Sequence, residues 1–403
     1  MRKILGTFIV TLLIGTFVSQ VSACTGFTYN DENNVFACHN EDWHDFFTLR
    51  FFPATEDRFG AMFIEVWDDV AGALLPFSGM NDRGLWYSTY ATPNLEQKNS
   101  TDLPTYYDPD SYYKVHSGEP TLFTCTTIEE AFEFDDQFNH NAYLNIQILG
   151  ADGTGNSVIN EGDIRIFKEG NYQVVTNFLH SHPELGEITN DAFERYDIVM
   201  SMLENMTVPS VEYFRDICNA VHVDRGYSWT CHSIICDLSN QIMYIYYFGD
   251  YEKQVVIDLN EELKKGEHSI LLGSLFEPEG NQPPAKPEPP TGNESGIPGE
   301  VIKYKTKKTS DPEGDRISYM WDWGDGNQSI WDYCRDMLSV SSSYNWAERG
   351  TYEVKVKAMD QYGAESEWSD PLTVTMPKNK SLNVFNPWLM RLIQRFLILE
   401  FLI

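Results

Sequence analysis

The residue with the most chemical promise is Cys24, because of what stands before it. Arg2 and Lys3, an apolar run from Ile4 to Val18, and then Val21-Ser22-Ala23 give a charged start, a hydrophobic stretch and a small-residue cleavage site. Cleavage after Ala23 makes Cys24 the first residue of an exported chain. A cysteine placed there carries its own base. A free α-amino group, with an ordinary pKa of about 7.7–8.0, can take the thiol proton near neutral pH, and the thiolate can attack a carbonyl without a distant histidine. Such a site also needs a carboxylate to hold the amine, donors aimed at the developing oxyanion, and a pocket that excludes water. Val21-Ser22-Ala23-Cys24 also reads as a lipobox, whose cysteine is lipidated. Against that, Cys24 runs straight into Thr25-Gly26-Phe27-Thr28-Tyr29, a strand start rather than a polar tether.

The other reactive residue types offer less. Besides Cys24 the chain has Cys38, Cys125, Cys218, Cys231, Cys236 and Cys334, an odd total that leaves one thiol over in a secreted protein. With Cys24 set aside, the remaining six either pair or sit as buried small hydrophobes, and the residues favour neither reading. No Cys-x-x-Cys spacing supports a zinc ribbon, and His180-Ser181-His182 lacks a third ligand at a set spacing, so no metal and no other cofactor is expected. There is no Gly-x-Ser-x-Gly elbow and no Gly-rich phosphate loop.

Composition narrows the class. Lys plus Arg is 29 against 60 Asp plus Glu, a net charge of -31, which leaves no basic footprint for nucleic acid. No run of 18 uncharged apolar residues interrupts the body of the chain, which excludes a polytopic membrane protein. At 403 residues and 14% aromatic, the chain can bury two or three domain cores.

The elements that must position Cys24 are mainly strands. Strand patterns cover Phe63 to Trp67, Ala142 to Leu149, Ser157 to Ile159, Tyr172 to Thr176 and Ile242 to Phe248. Helical periodicity covers Thr127 to Phe134, Ala192 to Leu203 (with Ile198, Val199, Met202 and Leu203 on one face) and Val211 to Ala220. Residues 24–279 therefore read as one α+β domain. Pro283-Pro284, Pro287 and Pro289-Pro290 mark 280–299 as a linker. Alternating strands at Val301 to Tyr304, Ile317 to Trp321 and Tyr352 to Ala358 make 300–378 an Ig-like sandwich. Residues 379–403 are an apolar tail. Its Arg391, Arg395 and Glu400 argue for a helix lying on the outer cell surface rather than spanning a bilayer.

Several short motifs follow Cys24 in a fixed order. Cys24-Thr25-Gly26-Phe27 is followed by Cys38-His39-Asn40-Glu41-Asp42-Trp43, then Gly79-Met80-Asn81-Asp82-Arg83-Gly84-Leu85, Ala151-Asp152-Gly153, Ser157 to Glu161, Thr176-Asn177, Arg195-Tyr196 and Thr230-Cys231-His232-Ser233. This set resembles the choloylglycine hydrolase and penicillin acylase group of N-terminal-nucleophile amidases, over about 250 residues. The resemblance implies a four-layer αββα hydrolase domain and a secreted enzyme that cleaves a small, non-peptide linear amide through a thioester. By position, it implies Cys24 as nucleophile, Asp42 as the group that orients the amine, Asn81 as oxyanion donor, Asn177 as a second asparagine near the nucleophile, and Arg195 as a supporting arginine. His39, Trp43 and Thr176 are the implied binding residues. The chain departs from the family at His39, where an arginine usually contacts the thiol; a histidine offers a single, pH-dependent donor there. Two alternatives stay open: an acyltransferase of the same fold, and a surface adhesion protein without activity.

In the second domain, Ser310-Asp311-Pro312-Glu313-Gly314-Asp315, Trp321-Asp322-Trp323-Gly324-Asp325-Gly326 and Asp360-Gln361-Tyr362-Gly363 resemble the PKD repeat, an all-β Ig-like module of secreted and cell-surface proteins. Its expected role is that of a spacer or adhesion module. Asp311, Asp315, Asp322 and Asp325 read as turn and capping residues ahead of calcium ligands.

Overall fold

The computed structural model describes residues 23–43, 46–68, 73–94, 118–138, 146–224, 229–329, 331–333 and 339–377. The segment before Ala23 that reads as a signal, Cys334 and the apolar tail lie outside the described residues. The chain divides into two compact units, Met1–Pro278 and Glu279–Ile403.

The first unit begins with β1 (Thr25–Asn30), β2 (Val35–Trp43), β3 (Thr48–Phe52), β4 (Ala61–Asp68), β5 (Ala73–Asn81) and β6 (Trp86–Ala91). Helices α1 (Gly118–Thr124) and α2 (Ile128–Asp135) follow, then β7 (Ile146–Ala151), β8 (Ser157–Glu161), β9 (Ile164–Phe167) and β10 (Tyr172–Val175). The unit closes with α3 (Ala192–Glu204), α4 (Val211–Ala220), β11 (Trp229–Asp237), β12 (Ile242–Tyr247), β13 (Asp250–Asp258), α5 (Leu259–Leu263) and β14 (His268–Leu271). The strands form a six-stranded sheet, β10-β1-β2-β11-β12-β13, and an eight-stranded sheet, β14-β3-β4-β5-β6-β7-β8-β9.

Strands β1, β2 and β11 are buried along nearly their whole length. Polar and apolar residues alike are covered, because both faces of this sheet carry a layer. On one face, Phe27, Phe36 and Cys38 pack against Val199, Leu203, Phe214 and Ile217 of α3 and α4. Helix α4 fits that face because Phe214, Ile217, Cys218 and Val221 recur at helical spacing, and Ser210 caps it by accepting from Tyr213 N at 3.1 Å. The other face meets the eight-stranded sheet, where Thr28 Oγ1 and Ser157 Oγ are 2.8 Å apart. The far side of that second sheet is covered by α1 and α2 through Leu122, Phe123 and Ile128 against Phe63 and Val158. The order is helix, sheet, sheet, helix, the layering expected for 24–279.

The second unit contains β15 (Ile302–Lys307) paired with β18 (Ser339–Tyr344), and a four-stranded sheet of β17 (Asp332–Tyr333), β16 (Ile317–Asp322), β19 (Gly350–Asp360) and β20 (Leu372–Met376). Its core holds Tyr304, Tyr319, Trp321, Trp323 and Trp346, with the Trp321 and Trp323 rings stacked at 5.6 Å. Asp322 and Asp325 take up turn amides, from Gly324 N at 2.9 Å and Asn327 N at 3.0 Å. Asp311 does the same for Glu313 N and Asp315 N.

One sequence boundary is corrected. Residues 280–299 are not a free linker but belong to the second unit. Pro284, Pro287 and Pro290 are buried at a spacing of three, which an extended polyproline helix places on one face. The backbone of the same stretch bonds into the unit, Ala285 N to Ser310 O at 2.9 Å and Thr291 N to Lys305 O at 2.7 Å. Proline lacks an N–H, but the residues between the prolines still supply ladder donors.

Every candidate site residue precedes Pro278. A chain ending at Pro278 is therefore expected to keep kcat and KM within about twofold of the full protein, each unit having its own core. Steady-state kinetics on the truncated chain checks this, and a large loss would place part of the site in the second unit.

Candidate active site

Strand register places the nucleophile. Thr25 pairs with Asn40 and Gly26 with His39 across β1 and β2. Continuing that register sets Cys24 opposite Glu41 and Ala23 opposite Asp42. Because side chains alternate between faces, Cys24, His39 and Glu41 point toward the second sheet, while Asn40 and Asp42 point toward α3 and α4.

The face toward the second sheet holds the thiol. Cys24 is 2% exposed, and its Sγ donates to Glu41 Oε1 at 3.2 Å. The other Glu41 oxygen lies 2.9 Å from His39 Nε2. His39 Nδ1 in turn lies 2.8 Å from both Tyr90 Oη and Ser88 Oγ on β6. Burial pushes the Tyr90 hydroxyl well above its ordinary range, so it stays protonated and can donate. One consistent arrangement has Nδ1 accepting from a hydroxyl and Nε2–H donating to Glu41. Gly26 is what admits Tyr90: a Cβ there would sit 1.9 Å from the Tyr90 oxygen.

The face toward the helices holds the backbone of Cys24. Helix α3 turns Ala192, Arg195, Val199 and Leu203 inward, so a guanidinium lies on its buried stripe. Arg195 Nη1 donates to Cys24 O at 2.8 Å and to Thr25 Oγ1, and Nη2 donates to Asn177 Oδ1 at 2.8 Å. Asp191 pairs with Arg195 Nε at 3.3 Å. Asp42 is fully buried and accepts from Thr230 Oγ1 at 2.5 Å. Burial raises the Asp42 carboxyl well above the usual carboxylate range, and the Arg195 charge opposes that rise. Asn177 donates to Ala91 O at 3.0 Å. The loop that follows it is pinned by Glu161, which accepts from His180 N at 2.6 Å and Ser181 N at 3.1 Å.

Of the residues expected from the sequence, Cys24, His39, Asp42, Asn177 and Arg195 gather around the β1 start. Three differ from expectation. Asn81 is a turn residue: its amide donates to Leu122 O and Cys125 O, both at 2.8 Å, and its carbonyl accepts from Arg83 N and Leu85 N. With every site of its side chain spent on backbone, Asn81 ties the β5–β6 turn to α1 and has no donor left for an oxyanion. Thr176 gives its hydroxyl to Ala192 O at 2.9 Å and so anchors the start of α3 rather than a ligand. His39 reaches the thiol through Glu41, not as a direct donor.

Trp43 shares the Cys24 face two residues beyond Glu41. Its ring meets Phe77 at 5.5 Å, Phe77 meets Phe47 at 5.9 Å, and Phe47 meets His232 at 4.8 Å, an aromatic row beside the acid–imidazole pair. Sequence reasoning passed over Glu41, Ser88 and Tyr90. Glu41 carried a readable signal: a carboxylate in step with His39 on a strand that opens with the apolar run Val35-Phe36-Ala37-Cys38.

Cys38, Cys125, Cys218 and Cys236 are buried free thiols, and burial pushes each thiol up. They behave as small hydrophobes, the second of the two cysteine readings. The His180–His182 pair diverges: burial holds His180 down to about 4, against Phe178 and Tyr196, while His182 is exposed and bonds Glu184 at 3.0 Å. A separate apolar cavity between α1, α2 and the second sheet is lined by Leu122, Ile128, Phe132 and Val158, and it does not include Cys24. Among the described residues, no helix is long and apolar enough to cross a membrane.

Residues 281–376 match the family model of the PKD domain. Among curated proteins, 83 residues are 32% identical to collagenase ColA of Bacillus cereus, covering 21% of this chain and 8% of that protein. Against collagenase ColQ1 of Bacillus cereus strain Q1, 96 residues are 30% identical, covering 24% and 9%. The chain thus spans less than a tenth of the curated relatives it matches. Among solved structures, the PKD domain of a peptidase from a Thermoplasmatales archaeon is 40% identical, covering 24% of this chain and 99% of that one, with a TM-score of 0.22. A mutant conjugated bile acid hydrolase from Clostridium perfringens is 15% identical, covering 61% and 95%, with a TM-score of 0.43. Residues 281–376 of the second unit, with the stacked Trp321 and Trp323 and the bonded Pro-rich start, form a PKD domain.

Proposed function

We propose that the first unit is a secreted N-terminal-nucleophile amidohydrolase, which attacks a small, non-peptide linear amide with Cys24 and passes through a thioester. The observation that carries this reading is the double hold on Cys24. Its carbonyl is clamped by buried Arg195, and its thiol is set on the Glu41 carboxylate, directly after a cleavage motif. Two proton acceptors then flank the sulfur: the α-amino group that cleavage releases, and Glu41.

In this mechanism the thiol proton passes to the amine, and the thiolate adds to the amide carbonyl. Asp42 lies opposite the Ala23–Cys24 bond in the strand register and would hold the resulting ammonium. Asn177 gives one amide hydrogen to Ala91 O, and its second hydrogen is the proposed oxyanion donor. The ammonium returns the proton to the leaving amine, giving a thioester. Water, deprotonated by the same amine, then releases the acid and restores the thiol. The row of Trp43, Phe77 and Phe47 favours an apolar acyl group, since aromatic faces gain most from covering hydrocarbon. The PKD domain fits an extracellular setting, as a spacer at or beyond the cell surface.

The test is a panel of N-acyl amides, graded from short polar to long apolar acyl groups, offered to the chain that begins at Cys24. Hydrolysis that rises with acyl hydrophobicity and stops on thiol alkylation is the expected result. Hydrolysis that survives alkylation of Cys24, or no turnover across the panel, would overturn the reading.

A further inference from the structure

We infer that Cys24, His39 and Glu41 also form a binding site for a thiophilic divalent cation of the Zn2+ class, with the buried imidazole of His232 beside it. The ligand atoms of Cys24, His39 and Glu41 all lie within 4.8 Å of one another, and all three residues are buried. Tetrahedral zinc with ordinary Zn–S, Zn–N and Zn–O bonds sets its ligand atoms about 3.4–3.6 Å apart. Here one Glu41 oxygen is 3.2 Å from the sulfur and the other is 2.9 Å from His39 Nε2, so both contacts to the carboxylate must lengthen to admit a cation. Thiolate, imidazole and carboxylate together suit zinc or cobalt over magnesium or calcium.

A second observation is independent of that cluster. His232 is 1% exposed, and neither of its ring nitrogens has a hydrogen-bond partner. It pairs with Glu41 in the β2–β11 register, just after a bulge at Thr230/His232, and its ring centre is 6.3 Å from that of His39. Cys24, Glu41 and His232 thus form a row across three strands.

The surroundings of His39 supply the outer contacts. On binding, the Cys24 thiol gives its proton to solvent as the metal–sulfur bond forms. The His39 proton moves from Nε2 to Nδ1, and the new Nδ1–H donates a hydrogen bond to Tyr90 Oη or Ser88 Oγ, which frees Nε2 for the metal. One proton is released per cation. An occupied site holds the sulfur as a metal thiolate and so blocks attack. That inhibitory consequence rests on the hydrolase reading; the binding itself does not.

The experiment is a Co2+ titration of the full chain beginning at Cys24, read by absorbance, followed by Zn2+ displacement. The expected result is one equivalent of Co2+ with a thiolate-to-cobalt charge-transfer band and tetrahedral d–d bands, both lost on adding Zn2+. The charge-transfer band vanishes in Cys24→Ala, and affinity falls at least about 100-fold in Glu41→Gln. Tyr90→Phe, which removes only an outer hydrogen bond, weakens binding about 10–100-fold. Absence of the band, its persistence in Cys24→Ala, or unchanged affinity in a folded Glu41→Gln overturns the site. If Glu41→Gln fails to fold, the Cys24→Ala spectrum decides alone. A chain that binds Co2+ but hydrolyses no amide sinks the hydrolase reading only. One that hydrolyses amides with no band and no Zn2+ inhibition sinks the metal site only.

Discussion

Replacing Cys24 with Ala is expected to remove amide hydrolysis while leaving the fold in place. Loss of a covalent nucleophile that acts as one unit with its base costs on the order of 10⁶-fold in kcat. The variant should fold because the β1 backbone is held by other residues: Thr25 by its pairing with Asn40, and the residue 24 carbonyl by Arg195. Cys24→Ser is the sharper variant. It keeps the shape and the amine but asks that amine, and Glu41, to activate a far less acidic hydroxyl, so kcat should fall severely while substrate binding is retained. Circular dichroism and single-turnover kinetics check both. A Cys24→Ala protein with native spectrum and full turnover would remove the thiol from the mechanism.

The second large effect is expected at Arg195. Its guanidinium is 4% exposed and links four groups: Cys24 O, Thr25 Oγ1, Asn177 Oδ1 and Thr189 Oγ1. Arg195→Met fills similar space but leaves those acceptors, and the Asp191 carboxylate, without their cation. Removing one partner of a buried charged network costs about 3–5 kcal/mol of stability. Turnover should fall further than stability explains, on the order of 100-fold in kcat, because Cys24 and Asn177 lose their common clamp and a shift of about 1 Å suffices for that. Arg195→Lys restores the charge but not the planar fork, so it should recover stability more than kcat. Thermal unfolding alongside kcat and KM separates the two contributions. An Arg195→Met enzyme with unchanged kcat would show that the clamp is only structural.

Much of this site was legible in the residues because strands obey a period of two. Once Cys24 begins a strand and His39 to Asp42 lie in its hairpin partner, alternation alone sends His39 and Glu41 to one face and Asp42 to the other. Helix α3 was legible from its apolar spacing, while Arg195 was singled out by the resemblance alone, and its place on the inward stripe came from the structure. Asn81 was misread for a specific reason. An asparagine before x-x-Gly is equally suited to bond its own turn, and here Arg83 N and Leu85 N take its carbonyl while α1 takes its amide. No single-residue pattern shows whether a side chain faces outward or back onto its own turn. The orphaned His232 was beyond reach because its place opposite Glu41 depends on a bulge, and a bulge changes which side chain faces which. Residues 280–299 were misread because proline content was weighed without its spacing of three.

The central claim is that cleavage after Ala23 makes Cys24 a nucleophile with its own base. The most direct measurement traps the acyl-enzyme: mature protein is mixed with a hydrolysed amide, quenched in acid within one turnover, and digested for mass spectrometry. The account predicts a single acylated peptide whose first residue is Cys24, with a free α-amine and the acyl group on sulfur. An acyl group on another residue, a lipid on Cys24, or an active chain that still carries residues before Cys24 would contradict it.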